Sequence, residues 1–265
     1  AHCGEDLGWL LGAELTFPQG ATRLWVYEKC ASSSAPLEVV VALRRRFSAG
    51  VSILSLPNQG MESLAYARYL LEVSSRRLQP AEYGFFVQAD PWKHVERGML
   101  EAALQAIAAG TLGGVPFVHL NRARFTAVQS PCLLDIYQRL SPRLPIHEDM
   151  LFASYCCSQF LVHRERMAGL PEGLIDTVLS IVGDPSKPRL RDLICSQNDG
   201  HDSRPGIAMS ALFENLWQVV FGEAPELPLR QDDASLPIFL RNAHDWLEGA
   251  GPFDYHVHYQ AKMAP

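Results

Sequence analysis

The chain has 265 residues and a formal net charge of −6 at pH 7. Hydrophobic residues make up 48% of it and charged residues 20%, which is ordinary for a globular protein, so a globally disordered chain and a coiled coil are excluded. The sequence has neither the clustered Lys and Arg of a nucleic-acid binder nor the roughly 18 uninterrupted apolar residues of a transmembrane helix.

Short apolar runs alternate with helical patterns in the first half of the chain. We predict strands at residues 24–27, 38–43, 51–54 and 83–87, and helices near residues 61–73 and 93–109. Strand, turn and helix in succession predict an α/β fold with a mainly parallel sheet and flanking helices. The basic triplet at residues 44–46 is then the solvated end of the second strand.

The second half is less regular. We predict a buried strand at residues 158–162 and helices at 174–182, 207–221 and 238–247, followed by a tail. Residues 1–222 are expected to form a single α/β domain with a helical C-terminal portion. Residues 223–265 are expected to be a C-terminal extension of loop, helix and tail.

The six cysteines show no Cys-x-x-Cys spacing, so no structural zinc site is predicted. We interpret the adjacent Cys156 and Cys157 as small buried side chains in an apolar stretch. The spacings do not exclude a disulfide framework but do not support one. The start of the chain lacks the pattern of a signal peptide, and we interpret the sequence as a processed or excised piece.

Two polar clusters follow predicted strands, at the edge where α/β sheets bind ligands. In the first, Gly60 permits an unusual backbone conformation, and the helix after it offers N–H groups to a phosphate or hydroxyl, with Asn58 and Glu62 beside it. An ordinary strand-to-helix turn explains this cluster equally well.

The second cluster contains Gln88, Asp90 and His94. Asp90 and His94 could bind a divalent cation or act as an acid–base pair. Spacing alone favours the simpler interpretation, in which Asp90 caps the following helix and His94 packs or faces solvent. Gln88 follows an apolar run, so it is expected to be partly buried and suits ligand recognition.

Other candidates have two interpretations each. Glu5 and Asp6 lie at the ligand edge or cap the next helix. Glu148 and Asp149 lie in a Pro-rich loop and supply a base or a metal ligand, or are simply solvated.

Two further groups of side chains also have two interpretations each. Arg164 and Arg166 form surface ion pairs or clamp a substrate phosphate or carboxylate. His256 and His258 would share one face of a strand and are tail residues unless a metal binds there.

An ordered set of short segments resembles the family called domain of unknown function 3431. The segments are Glu5-Asp6-Leu7 with Trp9, Tyr27-Glu28-Lys29, Leu56 to Glu62 with Tyr66, Phe86 to Trp92 with His94, Tyr155 to Phe160 with Arg164 to Arg166, and Phe213-Glu214 with Trp217 and Phe221-Gly222. The set covers most of the chain up to Gly222. Met61 and Ala89 stand where the family usually has Arg and Gly.

The layout of that family resembles the A-type nucleotide-sugar glycosyltransferases. The resemblance implies a glycosyltransferase A-like fold and a divalent metal, Mn or Mg, held by an Asp-x-Asp motif. The corresponding place here reads Gln88-Ala89-Asp90, with one acid, so His94 would complete the metal site.

We therefore expect an enzyme that transfers a sugar from a nucleotide-sugar donor to a hydroxyl acceptor, with a small molecule or glycan as substrate and no nucleic-acid partner. Asp90 is expected to hold the metal or the donor diphosphate, and Glu148 or Asp149 to be the base. Substrate-binding residues are then Glu5, Asp6, Asn58, Gly60, Glu62, Gln88, Gln159, Arg164 and Arg166. The alternatives are a non-catalytic carbohydrate- or ligand-binding domain, and a metal-assisted enzyme that uses His2, His94 or the His256/His258 pair.

Overall fold

The fold is that of a computed structural model, which describes residues 1, 3–12, 15–18, 20–30, 35–95, 97–112, 114–121, 124–127, 131–142, 146–147, 150–155, 157–171, 173–188, 190 and 211–231. None of the helices in these ranges is both long enough and apolar enough to span a bilayer.

The described residues form seven strands and seven α-helices. The strands are β1 (Leu24–Glu28), β2 (Val51–Ser55), β3 (Tyr83–Phe86), β4 (Phe117–His119), β5 (Arg124–Ala127), β6 (Phe152–Tyr155) and β7 (Phe160–His163). The helices are α1 (Leu37–Arg46), α2 (Met61–Ser74), α3 (Arg97–Ala108), α4 (Pro131–Leu140), α5 (Arg164–Ala168), α6 (Leu174–Ile181) and α7 (Trp217–Val220). Three short 3₁₀ turns, Gly8–Leu11, Pro91–Lys93 and Phe213–Asn215, complete them.

The strands form three small sheets. β1 and β2 pair in parallel, with Leu24 opposite Val51. β7 lies between β3 and β4 and is antiparallel to both, with Phe160 opposite Phe86 and His119. β5 and β6 form a separate antiparallel pair.

The predicted mainly parallel, glycosyltransferase A-like sheet is therefore wrong. Among the described strands only β1 and β2 are parallel. The alternation of strand and helix that indicated parallel pairing holds for the first half of the chain. In the second half of the chain, β7 lies between β3 and β4 and runs antiparallel to both. The alternation of strands and helices along the sequence does not indicate the direction in which a strand pairs.

The strand predicted at residues 38–43 is also wrong, because this segment lies in helix α1. Three consecutive β-branched residues favour a strand, but the ends of the segment favour a helix. Pro36 precedes the first turn, Glu38 lies in that turn, and three arginines lie in the last turn, where their charges complement the helix dipole. Val40 and Leu43 then face the core.

The largest part of the core surrounds helix α2, which packs on α5 and α6 and is buried along most of its length. Beside it, the ring of Phe160 in β7 contacts several other aromatic rings. These include Tyr66, Phe86, Phe117, Trp217 and Phe221. This packing brings together the start of α2, the end of β3 and the turn before β7.

The remaining predicted elements agree in position or lie outside the described residues. Helix α3 begins after the 3₁₀ turn at Pro91–Lys93, which occupies the start of the helix predicted at 93–109. The predicted helix at 207–221 is represented by a 3₁₀ turn and α7 within residues 211–231. The predicted helix at 238–247 and the tail lie outside the described residues. Residues 223–231 run beside β6, where the Leu227 N–H donates to the Ala153 carbonyl at 2.8 Å.

Candidate functional site

Helix α2 begins at a tightly packed turn. Gly60 precedes it with φ +61°, and a Cβ at this position would lie 2.8 Å from the carbonyl oxygen of Val182. The buried Lys29 donates hydrogen bonds to the carbonyls of Gln59 and Met61, one on each side of Gly60. Burial lowers the pKa of Lys29 to about 8. The turn is therefore held at a fixed position over the end of β1.

Glu62, in the first turn of α2, is only 6% exposed. Burial raises the pKa of its carboxyl, because the charged form loses its water. The N–H of Glu62, the ammonium of Lys29 and the nearby hydroxyl of Ser158 act in the opposite direction. Glu62 is thus a buried acid with partial compensation for its charge.

The turn before β7 has an unusual backbone. Cys157 has φ +75° and Ser158 has φ +54°, although neither residue is glycine. Two successive residues in this region cost about 1–3 kcal/mol each and persist only where the surrounding structure fixes them. The carbonyl of Cys157 accepts from Gln88 Nε2 at 3.3 Å, and its Sγ lies 3.3 Å from His94 Nδ1. Such strain is common at functional sites and directs attention to this turn.

Glu214, in the 3₁₀ turn before α7, approaches the same turn. The residue as a whole is half-buried, but its carboxyl group is enclosed. Burial and then the charge of Glu62 raise its pKa from 4.5 to about 8, and the backbone N–H of Cys157 offsets part of this. At neutral pH Glu214 therefore holds a proton.

We name Lys29, Glu62, Ser158 and Glu214 the acid-pair site. The two carboxyls lie close enough for the charge of one to raise the pKa of the other, and both raise the pKa of the buried Tyr66 phenol, for which burial is the largest cause. Each of two such carboxyls disfavours the ionised form of the other, so the pair loses its protons in two separated steps. This arrangement can donate a proton at one oxygen and accept one at another.

Several predicted residues lie at or beside the acid-pair site. Glu62 belongs to it, and Gln88 and His94 contact the strained turn. Asn58 is exposed in the turn before α2. Asp90 is half-buried and occupies the N-cap position of Pro91–Lys93, but its side chain makes no capping hydrogen bond there.

Other predicted residues have local partners or lie elsewhere. Asp6 Oδ1 accepts from the Gly8 N–H at 2.7 Å, and Glu5 accepts from the Cys3 N–H. Gln159 is fully buried behind the strained turn.

The two arginines lie at the other end of β3 from Gln88, because β7 is antiparallel to it and Tyr83 is opposite His163. Arg166 pairs with Glu223 at 3.2 Å, and Arg164 is exposed. Five further candidates lie outside the described residues: His2, Glu148, Asp149, His256 and His258.

The expected Mn or Mg site is not assembled by the described residues. They contain no group of three or more His, Cys, Asp or Glu side chains that could hold a metal ion. His94 Nδ1 lies 3.3 Å from the sulfur of Cys157, and the Mn or Mg site expected at Asp90 and His94 stays a prediction.

Sequence reasoning did not select Lys29, Ser158 or Glu214 as site residues. The available signal was a polar residue beside bulky apolar ones, as in Phe213-Glu214 and Ser158-Gln159-Phe160. A polar group in such a position must be buried and must find a partner. Applied throughout, that rule selects Ser158 and Glu214.

Disulfides are present, which the cysteine spacing did not indicate. Cys3 and Cys30 are bonded, with 4.9 Å between their Cα atoms. Cys132 and Cys157 each take part in a disulfide as well. Cys157 is buried, as expected, but it is not simply a small apolar side chain, because its sulfur is bonded. Disulfides are typical of proteins in oxidising environments.

No protein-family model, no curated protein and no solved structure matches this chain. The resemblance to the domain of unknown function 3431 family therefore stays a prediction based on the short segments named above.

Proposed function

We propose that the protein is an enzyme that transfers a glycosyl group to a hydroxyl acceptor, with Glu62 and Glu214 as its acid–base pair. The observation that carries the proposal is the coupled pair of buried carboxyls beside a strained turn. Glu214 holds a proton at neutral pH, and its neighbour Glu62 is the member with a cation, Lys29, beside it. Acid–base enzymes commonly separate the pKa values of two such groups in this way.

Polar atoms at the pair support the binding of a hydroxyl. Glu62 Oε1 and Ser158 Oγ are buried, and no hydrogen bond of good geometry reaches either atom within the described residues, although the Ser158 hydroxyl lies near enough to lower the pKa of Glu62. A substrate hydroxyl would complete the hydrogen bonding of both atoms. Gln88, which is half-buried and bonds to the carbonyl of Cys157, and the exposed Asn58 in the turn before α2 supply amides that can reach solvent.

Atoms and electrons balance in the proposed reaction. The ionised carboxylate of Glu62 accepts the proton of the acceptor hydroxyl. The hydroxyl oxygen forms a bond to the anomeric carbon of the donor, and the bond from that carbon to the diphosphate oxygen breaks. The nucleoside diphosphate leaves with the electron pair of the broken bond. Glu214, which is protonated, acts as a hydrogen-bond donor in the site. Glu62 thus takes the role that the sequence assigned to Glu148 or Asp149.

Calorimetry and turnover test this proposal. Uridine- and guanosine-diphosphate sugars are titrated into the protein with and without Mn²⁺, and release of the nucleoside diphosphate is followed with simple glycan acceptors. Glu62→Gln is expected to lower kcat by at least about 100-fold, as the loss of a general base does. The control is Glu165→Gln, which changes an exposed carboxylate on α5. If no nucleotide-sugar binds, or if both variants behave alike, the proposal fails.

A second candidate is a non-catalytic carbohydrate-binding domain. The enclosure of both carboxyls favours this candidate, because the polar side chains of the two predicted clusters that reach solvent include the amides of Asn58, Gln59 and, in part, Gln88. Glycan-array binding without any turnover, and unchanged in Glu62→Gln, identifies this candidate. Measured turnover removes it.

A further inference from the structure

A cavity of about 790 Å³ follows helix α2 away from the acid-pair site. Tyr66 and Tyr69 of α2 line it, and so does Arg77 just beyond the end of the helix. These three residues lie at increasing distances along the chain from Glu62, in the first turn of α2. The cavity therefore has one end near the acid-pair site and another near the end of the helix.

The first end of the cavity adjoins the two carboxyls. Burial and, after it, the charges of Glu62 and Glu214 raise the pKa of the Tyr66 phenol, so its hydroxyl lies near both acids. This hydroxyl is buried, and no hydrogen bond within the described residues reaches it. Gln88 lines the same end and donates to the carbonyl of Cys157 in the strained turn. A ligand in the cavity can thus bring a polar group to the acid pair.

Between its ends the cavity has apolar walls. Three distinct hydrophobic clusters of the core contribute to them, represented by Phe86, Leu104 and Phe47. Along the α2 wall, Tyr69 packs edge to face on Trp25 and on Phe86, with ring centroids 5.9 and 5.7 Å apart. These rings form a continuous hydrocarbon surface rather than a slot between parallel rings. Such a surface suits a flexible aliphatic chain better than a flat aromatic ligand.

Polar side chains other than tyrosine and tryptophan line the cavity at its ends. Gln88 lies at the acid-pair end. The others lie before β1, after α2 or before β3, at the far end, and they are Thr22, Arg23, Arg77, Gln79 and Glu82. A glycan would need a hydrogen-bond partner for hydroxyls along its whole length, and apolar walls do not supply them. A molecule with a long apolar body and a polar terminal group matches this distribution.

We propose that the cavity holds the aliphatic chain of the acceptor, and that the acceptor is a long-chain alcohol whose hydroxyl lies at Tyr66 and Gln88. This inference rests on the glycosyl transfer proposed above, for which it names the acceptor class. The Tyr66 phenol gains a hydrogen-bond partner in the alcohol, and the hydroxyl of the alcohol meets the acid pair. The wall from Tyr83 to Gln88 is about 17 Å long at the rise of an extended strand, which is the length of a chain of about a dozen carbons.

Binding of octanol and decanol, measured without a sugar donor by displacement of an apolar fluorescent dye, tests the site. Each methylene that leaves water strengthens binding about fourfold, so decanol should bind about 15-fold more tightly than octanol. Ala108→Trp places an indole at a lining position and should weaken decanol binding at least tenfold. Ala109→Trp is the matched control, because Ala109 is exposed like Ala108 but lies outside the cavity lining.

Turnover tests the role of the alcohol as acceptor. With a nucleotide-sugar that the protein binds, decanol should be glycosylated, and Ala108→Trp should raise the KM for decanol at least tenfold, whereas Ala109→Trp should not. Equal decanol binding by the two tryptophan variants, or no gain from octanol to decanol, would overturn the proposal. Decanoate that binds more tightly than decanol would place the polar group at Arg23 and Arg77 and would overturn it as well.

Failure of the acceptor site and failure of glycosyl transfer give different results. Decanol binding that Ala108→Trp weakens, in a protein that binds no nucleotide-sugar, would remove the transfer reaction and the acceptor role but leave a site for aliphatic alcohols. Turnover with simple glycan acceptors and no decanol binding would do the reverse.

Discussion

The variant Glu214→Gln tests the acid pair through the pH dependence of stability. The folded-state pKa of Glu214 is about 8, compared with 4.5 in its ordinary environment. Because the folded protein holds this proton more tightly than the unfolded chain does, the stabilisation is fully present below pH 4.5. It is lost as the pH rises from about 4.5 to about 8, at roughly 1.4 kcal/mol per pH unit. Between pH 5 and pH 7 the loss is about 3 kcal/mol.

Glutamine does not titrate, so Glu214→Gln should lack this loss. The difference in free energy of unfolding between the variant and the parent protein is expected to shift by about 3 kcal/mol in favour of the variant from pH 5 to pH 7. Burial also lowers the pKa of His119, to about 3, but His119 is present in both proteins and largely cancels in the difference.

Urea denaturation followed by tryptophan fluorescence at pH 5, 6 and 7 provides the measurement. Glu165→Gln is the control, because the Glu165 side chain is 85% exposed. A difference for Glu214→Gln that stays constant across this range would show that Glu214 ionises as a surface carboxylate does. The acid pair would then not exist.

Three further variants test the fold by the same denaturation assay. Cys3→Ser with Cys30→Ser removes a link across 27 residues and should lower the free energy of unfolding by about 3–4 kcal/mol; a parent protein whose stability does not change on reduction would contradict this. Gly60→Ala should lower the free energy of unfolding by about 3 kcal/mol, because alanine is strained in the left-handed conformation and its Cβ would clash with the backbone. The control, Gly110→Ala, should lower it by about 1 kcal/mol, because Gly110 has φ +67° but open space around it. Equal losses in the two variants would refute the clash. Arg230→Met should cost about 3 kcal/mol, because Arg230 donates to two buried backbone carbonyls; a cost below about 1 kcal/mol would show that those carbonyls find other donors.

The sequence predicted local structure well where one periodicity dominates. Helix α2 was predicted because its apolar residues recur at helical spacing and a carboxylate occupies its first turn. The sequence does not predict helix α1, because three β-branched residues favour a strand and only the charges at the ends of the segment favour a helix. The direction of β7 could not be predicted, since it depends on which strands it meets rather than on its own residues.

The candidate site was predicted in part for the same reason. Glu62 and Gln88 follow strands directly, so their position at a sheet edge could be inferred from the chain order. Glu214 lies in a segment whose pattern is simply helical, and its burial results from contact with the turn at Cys157, far away in sequence. Only the assembled structure brings these groups into contact.

The bond at Cys157 gives the turn beneath the acid pair a chemical dependence on its surroundings. The same residue offers its carbonyl to Gln88 and its N–H to the Glu214 carboxyl, while its sulfur belongs to a disulfide. Reduction of this disulfide would release the backbone of Cys157, and with it the positions of its carbonyl and N–H relative to Gln88 and Glu214.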